Sequence, residues 1–215
     1  KTYNKSWLNN YINEKIIPKI SFSNNKIIDQ IIQDDNIIIN SQPTISVNSI
    51  FENLEIRNKI IKVFSPKFLS YIHGDLTYEN MLVSKKNNDI RLIDTDSNFE
   101  IQPIELDLGK LYQSVFLNYE NWDKINSDLF KFNNINSIKI KLIKSGLLKD
   151  IQLVKNFYSN ILSISKYQIH NYALFYLSLH LIRMIPYKKE KSLKQAIYAA
   201  ICSRFFLNKI LTFIK

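Results

Sequence analysis

Apolar residues recur at three- and four-residue steps near the start of the chain and again over its last third, and at two-residue steps between. Trp7, Leu8, Tyr11, Ile12 and Ile16 predict a helix running to about Pro18, whose ring should break it. Ile27, Ile28, Ile31 and Ile32 mark one face of a second helix, and "NSQPTIS" (Asn40 to Ser46) reads as a loop. Ser49 with Glu52 resembles a capping box opening a helix through Phe64, which Pro66 stops. The period then changes to two. "KFLSYI", "NMLVS" and "DIRLID" are short strand-like runs, with "KKNND" (Lys85 to Asp89) as the turn between the last two. A helix is expected from about Ile104 through Tyr119, then a second hairpin within Asp128 to Ile143 around "NNINS", then helices near 149–165, 168–185 and 192–213. The pattern predicts an α+β, predominantly α-helical fold. No internal repeat or low-complexity linker divides it, so one compact unit is expected over 1–215. Within it we distinguish a helical lead-in over 1–65, a loop and hairpin over 66–97, and a helical region over 98–215.

Composition agrees with long regular elements: hydrophobic residues make up 46%, and there are 3 Gly and 5 Pro in 215 residues. Aromatic residues at 13% exclude a disordered chain despite the many Asn and Lys. Cys202 is the single cysteine, so no intrachain disulfide can form, and a reducing, cytoplasmic setting is expected. The longest apolar run, Tyr172 to Ile185, carries His180 and Arg183 and is shorter than the ~20 residues that span a bilayer. It reads as a buried helix. The formal charge of +10 is unevenly placed: residues 144–215 hold 12 Lys/Arg against Asp150 and Glu190, and 12 − 2 accounts for all of it.

The stretch "YIHGDLTYENMLVSKKNNDIRLIDTDS" (Tyr71 to Ser97) gathers His73, Asp75, Asn80, Asp94 and Asp96 in an apolar frame. A hairpin that starts at Asn80 and ends at Asp94 returns the two to neighbouring positions, because paired strands lie ~5 Å apart. An amide oxygen beside a carboxylate is a hard-oxygen site suited to Mg²⁺, which keeps one or two carboxylates and fills its shell with phosphate and water. Asp75, one loop away, could accept a proton from an attacking hydroxyl.

"HGDLTYEN" followed by "LIDTD" resembles the catalytic and metal-binding signature of the aminoglycoside phosphotransferase and choline kinase group, small-molecule members of the protein-kinase-like superfamily. The resemblance implies the C-terminal lobe of a kinase-like fold, ATP (or GTP) and Mg²⁺ as cofactors, and phosphoryl transfer to a hydroxyl. It assigns Asp75 as catalytic base, His73 as the residue shaping the loop, and Asn80 and Asp94 as metal ligands contacting the nucleotide's phosphates, with Asp96 a further candidate ligand. Asp107 in "ELDLGKLYQS" resembles the family's Asp-Leu-Ala element, whose Asp braces the catalytic loop.

A complete kinase also has a β-lobe with a Gly-rich loop and a strand Lys over the phosphates, and no run here resembles either. That lobe is expected upstream in the full-length protein, with this chain alone showing little transfer; a kinase-like binding or scaffold module without activity is the alternative. No long activation segment follows Asp94, which implies a small-molecule or glycan acceptor. The scarcity of carboxylates after residue 143 disfavours a polycation, and a neutral or anionic acceptor near Arg183 and Lys188 is expected, in a region that also carries Lys189, Lys191, Lys194 and Arg204. No nucleic-acid motif appears. The helix over Ser192 to Lys215 is basic and amphipathic enough to be considered for an anionic membrane surface.

Overall fold

The structure, a computed structural model, describes residues 2–21, 24–87, 89–95, 101–124, 129–134, 136–142 and 148–214. It is 66% helical with a few small sheets, an α+β fold dominated by helix. The described residues gather into two compact units: Lys1–Ser65, Asp123–Leu142 and Ser178–Lys215 form unit 1, and Pro66–Trp122 with Ile143–Leu177 form unit 2.

In unit 1 the chain begins as α1 (Thr2–Tyr11), a π turn over Ile12–Ile16 and α2 (Ile17–Ile20). Leu8, Ile12, Ile16 and Ile20 repeat every fourth residue and are buried. The helical path therefore does not stop at Pro18. The wider π turn, closed by the Ile17 N–H on the Ile12 carbonyl, precedes the proline, which sits in the first turn of α2 where its missing N–H costs least. Asn25 caps α3 (Lys26–Gln33) by accepting the N–H groups of Ile27 and Ile28. Of the apolar face, Ile28, Ile31 and Ile32 are buried while Ile27 is exposed.

The expected loop after Ile39 is a two-residue hairpin. β1 (Ile38–Ile39) and β2 (Gln42–Pro43) flank Asn40 and Ser41, both at positive φ (51° and 65°), the backbone a tight hairpin turn needs. The capping box also falls elsewhere. Ser46 caps α4 (Val47–Glu52) through the Ser49 N–H, and Asn53 caps a separate α5 (Leu54–Phe64), so Ser49 and Glu52 lie inside the shorter helix.

In unit 2, β3 (Leu69–Tyr71) leads into the loop and 3-10 turn Tyr78–Asn80; β4 (Met81–Val83) and β5 (Ile90–Leu92) form the expected hairpin. β3 also pairs antiparallel with a strand absent from the sequence pattern, β6 (Ile101–Pro103), whose three residues lead straight into α6 (Ile104–Leu117). A 3-10 turn over Tyr119–Lys124 follows. β7 (Phe130–Asn134) and β8 (Ser137–Ile140) make the second expected hairpin, and with β1 and β2 a four-stranded sheet in the order β2-β1-β8-β7.

The chain ends with α7 (Leu148–Leu162), α8 (Lys166–Lys191) and α9 (Leu193–Phe213). α8 continues through Pro186 beyond the expected end at 185, and its stretch from Asn171 to Ile182 is wholly buried, as its uninterrupted apolar run requires. α9 is long and apolar enough to cross a membrane by length and composition, and 67% of its most apolar window is buried within the fold, as in a core helix. Cys202 on α9 is fully buried, which raises its thiol pKa and fits packing.

Arg204, named among the cations of the expected acceptor region, is instead a core clamp. It is fully buried: Nε donates to Thr44 Oγ1 (2.7 Å), Nη1 to the carbonyls of Ile31 (2.8 Å) and Asp34 (2.6 Å), and Nη2 to the Thr44 carbonyl (2.5 Å). The fork of the guanidinium matches these acceptors, which explains how a charge is tolerated there.

Candidate functional site

The loop after β3 is held from the start of α6. Because β6 pairs with β3 in the register Leu69↔Pro103, α6 opens beside the start of β3, and its first turn carries both Glu105, which accepts the Lys67 N–H before β3 (2.9 Å), and Asp107, which serves the loop after it. Asp107 then accepts two backbone donors at once, His73 N–H on Oδ2 (2.8 Å) and Gly74 N–H on Oδ1 (2.9 Å). Burial raises the Asp107 pKa, and the two N–H groups oppose that rise. Gly74 stands at φ 83°, where a side chain would be strained, so the loop's sharp turn explains the glycine between His73 and Asp75.

His73 is buried and accepts the Asp75 N–H on Nδ1 at 3.3 Å. Its Nε2, the protonated nitrogen of that tautomer, has no hydrogen-bond partner among the described residues. These contacts fit a residue that shapes the loop.

Asp75 and Asn80 come together directly. Asn80 Nδ2 donates to the Asp75 carbonyl (2.8 Å) and to Asp75 Oδ2 (3.1 Å). The other carboxylate oxygen, Oδ1, is buried and lies 2.8 Å from the Lys110 ammonium. The Asp75 side chain is 49% exposed overall, so one edge is fixed by protein and the rest faces solvent. Asn80 is buried, and its Oδ1 receives no hydrogen bond from the described residues.

The hairpin returns the chain beside Asn80: the Ile93 N–H donates to the Asn80 carbonyl at 3.0 Å, one step beyond the pair Met81↔Leu92. Asp94 follows at φ 53°, a left-handed conformation that Asp tolerates better than most residues and that recurs at functional sites. Its carboxylate is exposed and pairs with no group among the described residues. Asp96 lies outside the described residues. No group of three or more His, Cys, Asp or Glu side chains gathers to hold a metal among the described residues. Among the described residues the Asn80 Oδ1 and the Asp94 carboxylate have no hydrogen-bond or ion-pair partner, and both are hard oxygens of the kind Mg²⁺ takes.

Several supporting residues were not anticipated. The Tyr78 N–H, in the turn that carries Asn80, is shared between Ser114 Oγ (3.1 Å) and Glu120 Oε1 (3.2 Å), and Ser114 Oγ itself donates to Glu120 Oε1. Tyr78 Oη donates to Asp150 Oδ2 at 3.1 Å; burial first, then this carboxylate, raises the phenol pKa. Lys110 carried a readable signal, since it lies three residues after Asp107 and so on the same face of α6. Gly109 between them is set by packing. A Cβ there would meet the Tyr176 backbone carbon at 2.8 Å and the Leu177 nitrogen at 2.9 Å, so α6 and α8 approach too closely for any larger residue.

The expected acceptor residues belong to unit 1, whereas Asp75 belongs to unit 2. Arg183 donates to Tyr11 Oη at 2.8 Å, with its guanidinium 5.8 Å from that ring's centre, and Lys188 is partly buried in the same helix. No family model, curated protein or solved structure matches the chain.

Proposed function

We propose that the chain is the catalytic lobe of a small-molecule kinase of the aminoglycoside phosphotransferase and choline kinase type. It would move a phosphoryl group from ATP, or GTP, to a hydroxyl of a neutral or anionic acceptor such as a sugar or glycan intermediate. The supporting observation is the Asp75–Asn80 junction: a half-exposed carboxylate whose inner edge is fixed by Lys110 and Asn80, on a loop whose backbone is anchored by Asp107. A loop that only had to turn needs none of these contacts beyond the glycine.

In this reading Asp75 receives the proton of the acceptor hydroxyl on its carboxylate, and Asn80 keeps that carboxylate from rotating as the hydroxyl approaches. Asn80 through Oδ1 and Asp94 through its carboxylate are the residues that would hold Mg²⁺, which supplies charge neutralisation at the phosphates when bound. Asp107, Ser114 and Glu120 keep the loop and its turn in shape. The small lobe that would cover the nucleotide is proposed to lie upstream in the full-length protein. Few carboxylates follow residue 143, and that scarcity supports a neutral or anionic acceptor.

The test is transfer of labelled γ-phosphate by the full-length protein to a panel of sugars, sugar phosphates and amino sugars, with Asp75→Asn as control. A positioned base contributes roughly 10²–10⁴-fold. Transfer that persists at full rate in Asp75→Asn removes Asp75 from the chemistry. One observation favours the second reading, a kinase-like binding module: the ion pair with Lys110 partly neutralises the carboxylate that should act as base. Saturable Mg·ATP binding without transfer to any acceptor would select that module.

A further inference from the structure

Unit 1 carries a cationic concavity that has no part in the phosphotransfer reading. On the outer face of the β7–β8 ladder, Lys131 stands directly opposite Lys139, while Ile138 and Ile140 of the same strand turn inward and are buried. Lys141, the residue that follows β8, is exposed and lines the same concavity. Like charges directly opposite each other on paired strands are destabilising, and an anion bound between them would relieve that repulsion. Among the described residues no carboxylate pairs with any of the three lysines.

The backbone beneath them is rigidly held. Asn40, at the turn of the β1–β2 hairpin, accepts the Ile140 N–H on Oδ1 (2.9 Å) and donates Nδ2 to the Ile140 carbonyl (3.2 Å). The Lys141 N–H donates to the Leu129 carbonyl (2.7 Å), and the Lys141 carbonyl accepts from Tyr198 Oη (3.3 Å). Together Asn40, Ser41, Lys131, Lys139, Ile140 and Lys141 line a concavity of about 500 Å³.

The geometry points to a phosphate-type oxyanion as the ligand of this concavity, and to a diphosphate group in particular, whose two charged ends can engage the Lys131–Lys139 pair and Lys141 together. Three ammonium groups, two on paired strands and one on the residue that follows β8, offer many donors and no acceptor, the complement of phosphate oxygens. Among the described residues the lining holds no aromatic ring on which a base could stack, which argues against single-stranded nucleic acid.

The experiment is isothermal titration of the whole chain with inorganic pyrophosphate at low salt, and in parallel co-sedimentation with vesicles containing phosphatidic acid. Both are repeated with the Lys131→Gln, Lys139→Gln, Lys141→Gln triple variant and with Lys139→Gln alone. The expected result is saturable pyrophosphate binding that weakens roughly tenfold per lysine removed. The three side chains are exposed, so the variants should keep or raise the thermal midpoint as repulsion is relieved; the single variant carries the reading if the triple one does not fold. Lysine-dependent binding to the vesicles alone would also support the site and would identify its phosphate as a lipid headgroup. Absence of binding to either probe, or binding unchanged in both variants, overturns the proposal. None of these outcomes bears on the Asp75 site.

Discussion

Replacing Asp107 by Ala probes the joint on which the loop depends. The carboxylate takes the N–H groups of His73 and Gly74 at 2.8 and 2.9 Å, in a residue only 6% exposed. Its loss leaves two donors with no partner, each costing ~1–3 kcal/mol where water cannot reach. Part of that is recovered, because a buried carboxylate no longer has to be desolvated, which is the cause of its raised pKa. A net loss of ~2–4 kcal/mol is expected, or a fall of roughly 5–15 °C in midpoint for a chain of this size. Urea denaturation gives the magnitude. Hydrogen exchange gives the location: protection should drop first at His73 and Gly74, then through the turn to Asn80, and remain at β7–β8. A change below ~0.5 kcal/mol with unaltered exchange at those two amides would refute the clamp.

Gly109→Ala forces a methyl against the backbone of Tyr176 and Leu177 and should cost ~1–3 kcal/mol by overpacking, read as a lower denaturant midpoint; a neutral result would mean that α6 and α8 are free to separate. Glu105 is fully buried, accepts the Lys67 N–H at 2.9 Å on Oε1 and has no partner for Oε2 among the described residues, and burial raises its pKa above 4.5. The folded chain therefore holds this proton to higher pH than the unfolded one. Its stabilising contribution is full below about pH 4.5 and is lost as pH rises through the folded value, and Glu105→Gln should flatten that decline in urea titrations across pH; an unchanged slope would contradict it. Arg204→Lys keeps the charge but loses the fork that serves Thr44, Ile31 and Asp34, and should cost ~2–4 kcal/mol by urea denaturation, whereas a surface cation would cost almost nothing.

What was legible in the sequence was local. The change from helical to alternating period located β3, β4 and β5, and the spacing of Asp75, Asn80 and Asp94 anticipated the hairpin that returns Ile93 to Asn80. Contacts made by one side chain reaching across the fold left weaker traces. Lys110 could be placed on the Asp107 face, but its ion pair with Asp75 follows only once β6 has set α6 beside the loop, and β6 is three residues ending in proline. Arg204 looked like one more member of a basic third, because composition does not say which cation turns inward. Pro18 was read as a stop since the pattern cannot show the π turn that accommodates it. Asn40-Ser41 was read as loop although two turn-forming residues between Ile39 and Gln42 were a hairpin signal, obscured by Pro43 in the returning strand.

Paramagnetic relaxation by Mn²⁺ tests the proposed metal-binding arrangement most directly and needs no knowledge of the proposed acceptor. Titrated as Mn·ATP into labelled protein, the ion should selectively broaden the amides of 73–80 and 93–95, and Asp94→Ala or Asn80→Ala should abolish that broadening while leaving the fold intact. Broadening spread evenly over the surface, or centred elsewhere and indifferent to both substitutions, would contradict a shared cation site at Asn80 and Asp94.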